Sequence, residues 1–231
     1  LLMKTIISIG ALLFLIFNGI AQQADYPQLK AEAERAYAEG SYARTYEIYN
    51  RVDKAALPHS EGRWVEFRLA DALWRSQAAT QTADNTKFEE AQKQLAELIR
   101  VRDKEEDRDV IWAEAHESLG DFYWTRRDQL NWGEAWPHYQ MALDWWAGQR
   151  DIKLARDRYV RIVFKSAEAP QIHAYYYYTY YGNHIPLHIL ENALKITADE
   201  GQKIHLHFLI AMTMRNNAGD WQIRDRVDDE F

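Results

Sequence analysis

The segment Ala113 to Trp146, AEAHESLGDFYWTRRDQLNWGEAWPHYQMALDWW, constrains the fold more than any other part of the chain. Leu119, Gly120 and Tyr123 fall at the spacing of one helix face, and Ala135, Tyr139 and Ala142 at the spacing of a second. A polar turn, Asp128 to Asn131, separates them. Small residues set against rings read as two helices in close approach. Gly120 removes a side chain at the contact, and Tyr123 and Tyr139 fill the space beside it. A lone helix pair cannot bury its apolar face, so this one predicts neighbours of the same kind.

The order large–x2–Leu–Gly–x2–Tyr, then Ala–x3–Tyr–x2–Ala, resembles the tetratricopeptide repeat. Aligning on the small residue of each first helix finds further pairs. Ala33 and Tyr37 precede Gly40-Ser41-Tyr42, with Thr45, Tyr49 and Val52 on the partner. Ala70 and Leu73-Trp74 precede Phe88, Ala91, Leu95 and Leu98. A fourth pair runs from Ile152 to Lys165 and from Leu187 to Ala198. A fifth first helix, about Gln202 to Asn216, carries Phe208, Ile210, Ala211 and Met214. Its partner begins near Arg224 and is cut short at Phe231. That helix is therefore expected to leave an apolar strip exposed.

The resemblance implies an all-α fold, a tetratricopeptide-like helical-repeat solenoid of about four helix pairs and a truncated fifth. It also implies a concave groove lined by the exposed side of each first helix. Carried onto this chain, those positions are Trp64, Phe67, Asp71, Trp74 and Arg75, then Glu117, Asp121 and Trp124. The alternative for the tryptophans is packing between helical layers. The ligand implied is a protein or peptide in the groove, or the rest of a longer chain.

The spacings are irregular: Ala33 to Ala70 is 37 residues and Ala70 to Gly120 is 50, against a consensus of about 34. The excess is assigned to turns, Ser76 to Thr86 and Asp128 to Asn131. Pro58, Pro170 and Pro186 fall between periodic segments. Pro137 fits only a helix that starts near Trp132 to Ala135. The charged run Asp103 to Asp109 leads into a helix whose N-terminus suits acidic residues. The run Tyr175 to Tyr181 reads either as an aromatic platform for a glycan or partner, or as a loop packing alternate rings.

At the N-terminus, Lys4 precedes an apolar run, Ile6 to Ile20, and then Gly19-Ile20-Ala21 before Gln22. This is the pattern of a cleaved secretory signal, residues 1–21. The run is shorter than the ~20 apolar residues of a membrane span. The expectation is an exported bacterial protein, periplasmic or extracellular, with the helical domain at 22–231 and no membrane contact after cleavage. Leu1-Leu2 precede Met3, and no capping signal precedes Phe231, so the chain reads as a fragment.

Chemistry is sparse. There is no cysteine, hence no disulfide framework, thiolate site or cysteine nucleophile. The eight histidines include His184 and His188 about a proline, and His205 and His207 two apart, so neither pair makes a zinc spacing. Glu117-Ser118 resembles the acid of lytic transglycosylases, yet it lies inside a repeat helix and that family's other stretch is absent. The reading is no catalysis, no metal and no cofactor. A net charge of −7, with Lys and Arg scattered among Asp and Glu, disfavours nucleic acid.

Longer words carry a second resemblance. Arg63 to Asp84, Glu117 to Gly148, Pro186 to Ile196 and Phe208 to Asp220 are similar to the N-terminal helical region of large exported bacterial proteins of the alpha-2-macroglobulin family. The resemblance implies macroglobulin β-sandwich domains further on, and protease trapping by the whole protein. Any thioester motif of that family needs a cysteine, so this stretch would be its appended, non-catalytic interaction module. Two alternatives stand: the helical scaffold of an exported cell-wall or polysaccharide enzyme, and a free-standing periplasmic peptide-binding adaptor.

Overall fold

The computed structural model of the protein describes residues 26–78, 84–102, 104–124, 131–167 and 185–216. All regular structure among them is helical, with no strand. The helices are α1 (26–38), α2 (Tyr42–Tyr49), α3 (His59–Ala78), α4 (Asn85–Arg100), α5 (Val110–Trp124), α6 (Trp132–Ala147), α7 (Ile152–Ala167), α8 (Leu187–Ile196) and α9 (Glu200–Asn216). Residues 1–21, the run Tyr175 to Tyr181 and the segment from Arg224 lie outside the described residues. The chain forms two compact units, Leu1–Asp107 and Arg108–Phe231.

In the first unit each helix has a local cause. α1 ends because Gly40 takes φ +76°, which lets Gly40 N–H bond the Tyr37 carbonyl and Ser41 N–H the Ala36 carbonyl. This is the double closure of a Schellman turn, open to glycine without strain. The chain then re-enters as α2, so α1 and α2 form a tight hairpin. Asp84 caps α4, its Oδ1 accepting from Thr86 N–H at 3.0 Å. Phe88, Ala91, Leu95 and Leu98 make one buried face of α4, and α3 packs against both α2 and α4. Burying a side chain such as Leu95 contributes about 1.5–3 kcal/mol. The turn between α3 and α4 is shorter than Ser76 to Thr86, because α3 continues to Ala78 and α4 begins at Asn85. Unbroken helical bonding absorbs polar residues that sequence composition assigns to a loop.

In the second unit α5 packs on α6, α6 on α7, α7 on α8 and α8 on α9. Asp109 starts α5 by accepting from Trp112 N–H at 2.9 Å, and Asn131 starts α6 by accepting from Glu134 N–H at 3.2 Å. Pro137 lies in the second turn of α6, where it removes the donor for the Gly133 carbonyl. Both residues are exposed, so water can hydrate that carbonyl. Gly120 sits where α5 and α6 nearly touch: a Cβ there would come within 2.6 Å of the Tyr139 ring. On α9, Ile204 is 71% exposed and Phe208 50%, whereas Ile210, Ala211 and Met214 are buried. The exposed strip is thus the Ile204–Phe208 edge, not the whole set expected.

Candidate functional site

The polar side chains of the first helices are arranged in register. In the first unit, Lys30 on α1 bonds Glu61 on α3 at 2.7 Å, Arg68 on α3 bonds Glu34 on α1 at 2.8 and 3.0 Å, and Tyr37 on α1 donates to Asp71 on α3 at 2.6 Å. The three contacts advance in the same direction on both helices, so α1 and α3 run parallel. Glu34 also accepts from Tyr49 at 2.6 Å and from Trp64 Nε1 at 3.1 Å. The Arg68 guanidinium lies 3.9 Å from the Tyr37 ring centroid and 4.5 Å from that of Trp64, within cation–π reach of both. Arg75 reaches Asp71 at 2.9 Å while lying over Trp74 at 4.3 Å. Burial first, then the Asp71 charge, pushes the Tyr37 hydroxyl above its ordinary range, so it remains a donor.

The second unit repeats the device with charges alone. On α5, Glu114, Glu117 and Asp121 follow one another by three and four residues. On α7, Arg158, Arg161 and Lys165 do the same. Arg158 meets Glu114 at 3.0 Å, Arg161 bonds Glu117, and Lys165 bridges Glu117 at 2.5 Å and Asp121 at 2.7 Å. Tyr139 from α6 donates to the other Asp121 oxygen at 2.8 Å. The acids are buried and the bases half-buried, so the cations lie between the carboxylates and water.

These contacts locate the eight residues expected along a groove. Phe67, Asp71, Trp74, Glu117, Asp121 and Trp124 are each no more than 3% exposed. Trp64 and Arg75 keep partial exposure, and both bond to buried or half-buried carboxylates. Their polar groups are engaged within the chain, and the tryptophans Trp74 and Trp124 pack as core residues. The two sets, 64–75 and 117–124, lie in different units. Glu117, with its carboxylate taken up by Arg161 and Lys165, has no route to the work of a general acid on a sugar.

An open concavity of the first unit lies elsewhere, between α2, α3 and α4. It is a trough of about 620 Å³ with Leu69 and Leu98 among its apolar lining and Tyr46, Glu66, Lys93 and Gln94 among its polar lining. Its charges are of both signs, and Lys54 and Glu66 pair across it at 3.4 Å. Sequence reasoning missed it because it is built by second helices as well as a first. Among the described residues no group of three or more His, Asp or Glu could hold a metal ion. His188 and His207 are exposed, and His205 stacks on Phe164 with centroids 4.9 Å apart. No helix among the described residues is long and apolar enough to cross a membrane.

Fold and site together define a class: among the described residues, an all-α protein in which α1 is tied to α3, and α5 to α7, by buried and half-buried polar contacts. Compared with protein-family models, with curated proteins and with solved structures, the chain matches none.

Proposed function

We propose that this chain is a tetratricopeptide-like helical-repeat module that binds a polypeptide and carries out no reaction of its own. The observation that carries the reading is the register between α1 and α3. Two of their hydrogen bonds, Arg68 to Glu34 and Tyr37 to Asp71, join residues 34 positions apart, the period of that repeat, about 34 residues. The corresponding bonds between α5 and α7 join residues 44 apart, as a longer turn between helices would require. Stacked repeats of this kind serve as binding surfaces because rigid helices present side chains along a continuous face. Here a face with room for a ligand is the α2–α3–α4 trough, which suits an extended peptide bearing a small apolar side chain between charges of both signs. The proposal places the module in an exported bacterial protein, at the N-terminal end of an alpha-2-macroglobulin-like envelope protein.

A photo-crosslinking residue at Gln94, in the trough, tests the binding, with the same residue at exposed Lys153 as control. The expected result is a polypeptide adduct from position 94 alone, abolished by Leu69→Glu. An equal adduct from position 153, or none from 94 in the native compartment, sinks the trough as the site. Coding sequence beyond Phe231 that is rich in β-strands supports the macroglobulin placement, and a compact catalytic domain there removes it.

A further inference from the structure

His116 on α5 and His138 on α6 face each other Nδ1 to Nδ1 at 3.0 Å. A hydrogen bond between imidazole nitrogens needs one N–H and one lone pair. It forms when both rings are neutral and cannot form when both are charged. The pair is flanked by aromatic rings. His116 sits edge-on to Trp112 with centroids 4.3 Å apart, and His138 stacks on Tyr123 at 5.9 Å. His116 Nε2 is buried and has no hydrogen-bond partner among the described residues. A charged His116 would therefore bury an N–H with no acceptor.

We propose that the His116–His138 contact is an acid-sensitive latch between α5 and α6, closed while at least one of the two rings is neutral and released when His116 also takes up a proton and both rings are charged. The surrounding charges set how it responds. Arg108, whose guanidinium lies 4.7 Å from the Trp112 ring, opposes a charge on His116. Glu134, on α6, favours a proton on His138, so that ring is the first to charge. The acids of α5, Glu114, Glu117 and Asp121, are held by Arg158, Arg161 and Lys165 of α7, and Asp121 by Tyr139 of α6 as well. Asp109 is engaged at the α5 N-terminus. Glu134 is the described carboxylate whose charge favours a proton on His138.

The direction follows from linkage. Burial first, then His138 and Arg108, lowers His116 from 6.5 to about 3, and burial also lowers His138. In an opened hairpin both titrate near 6.5, so the open form binds more protons than the closed form below that pH. The latch holds fully above about pH 6.5 and weakens as pH falls toward 3.

Hydrogen exchange on the full chain at pH 7.5 and 5.0, expressed as protection factors, reads the latch. A histidine that titrates at 6.5 only when open favours opening by about 30-fold at pH 5.0. The expected result is a loss of about that size in the amides of α5 and α6, with little change in α3 and α4. The double variant His116→Asn with His138→Asn keeps polar atoms near the Nδ1 positions without titrating, so it should remove the pH-dependent loss, whereas His138→Asn alone should keep the share that burial of His116 causes. Proton NMR titration of the wild-type rings is a second measurement: both midpoints should lie below the ordinary 6.5, that of His116 the further. An equal loss in α3 and α4, a loss undiminished in the double variant, or midpoints near 6.5 with α5 still protected would overturn the latch.

Discussion

Gly120 on α5 faces the ring of Tyr139 on α6 so closely that a Cβ on Gly120 would lie 2.6 Å from both Cδ1 and Cε1. The ring cannot retreat freely, because its hydroxyl is bonded to Asp121 at 2.8 Å. Replacing Gly120 by Ala or Leu should lower stability by about 1–3 kcal/mol through overpacking. Tyr139→Phe keeps the ring and should not rescue it, whereas Tyr139→Leu should recover part of the loss. Thermal melts of the four variants check this, and an unchanged midpoint for Gly120→Leu would contradict the contact.

The Arg68 side chain is buried at 9% exposure and serves Glu34, while the rings of Tyr37, Trp64 and Phe67 lie against it. Arg68→Met leaves Glu34 without its cation and should cost about 2–3 kcal/mol. Arg68→Lys should lose more than half as much, since an ammonium gives up both the forked bonds and the flat stacking surface. Denaturant titration measures both; a neutral Arg68→Lys would mean that charge alone matters here.

Lys165 on α7 contacts two carboxylates of α5, Glu117 and Asp121, as Arg161 contacts Glu114 and Glu117. Lys165→Met should destabilise the second unit by about 2–4 kcal/mol, because buried carboxylates lose a partner. Lys153→Met, at an exposed position of the same helix, should stay within about 0.5 kcal/mol. Equal effects from the two would show that the α5–α7 ion pairs carry no stability.

Tyr26, Tyr37 and Tyr49 each donate to a carboxylate, Glu61, Asp71 and Glu34 respectively. Burial first, and then those carboxylates, raises all three hydroxyls above the ordinary 10.0. The unfolded chain loses these protons near pH 10 while the folded chain keeps them. Their contribution is therefore complete below about pH 10 and is lost as pH rises beyond it. The melting temperature should fall above pH 10, and less steeply in Tyr37→Phe. An identical alkaline slope in that variant would count against the assignment.

Much of the helical layout was legible before any coordinates. The ends of α6, α7 and α9 fall within a few residues of their expected positions, because caps, glycines and the 3.6-residue period are properties of neighbouring residues. The groove was not legible in the same way. Phe67, Asp71 and Glu117 read as an exposed face, since one helix shows which residues share a side but not what covers that side. The α5–α7 register did leave a signal, matching spacings at 114, 117, 121 and at 158, 161, 165. Opposite charges at equal intervals could have paired those helices.

The sequence by itself determined where the helices begin and end, that no cysteine chemistry occurs, and that Gly120 marks a close helix contact. Those are consequences of local bonding and side-chain size. Tertiary structure alone decided that Arg68 serves Glu34, that His116 meets His138, and that the open trough belongs to α2, α3 and α4. Such pairings join residues far apart along the chain, and helical periodicity is silent on which neighbour each face will meet. Burial then settles their energetics, since a charge or an imidazole behaves according to what excludes water from it.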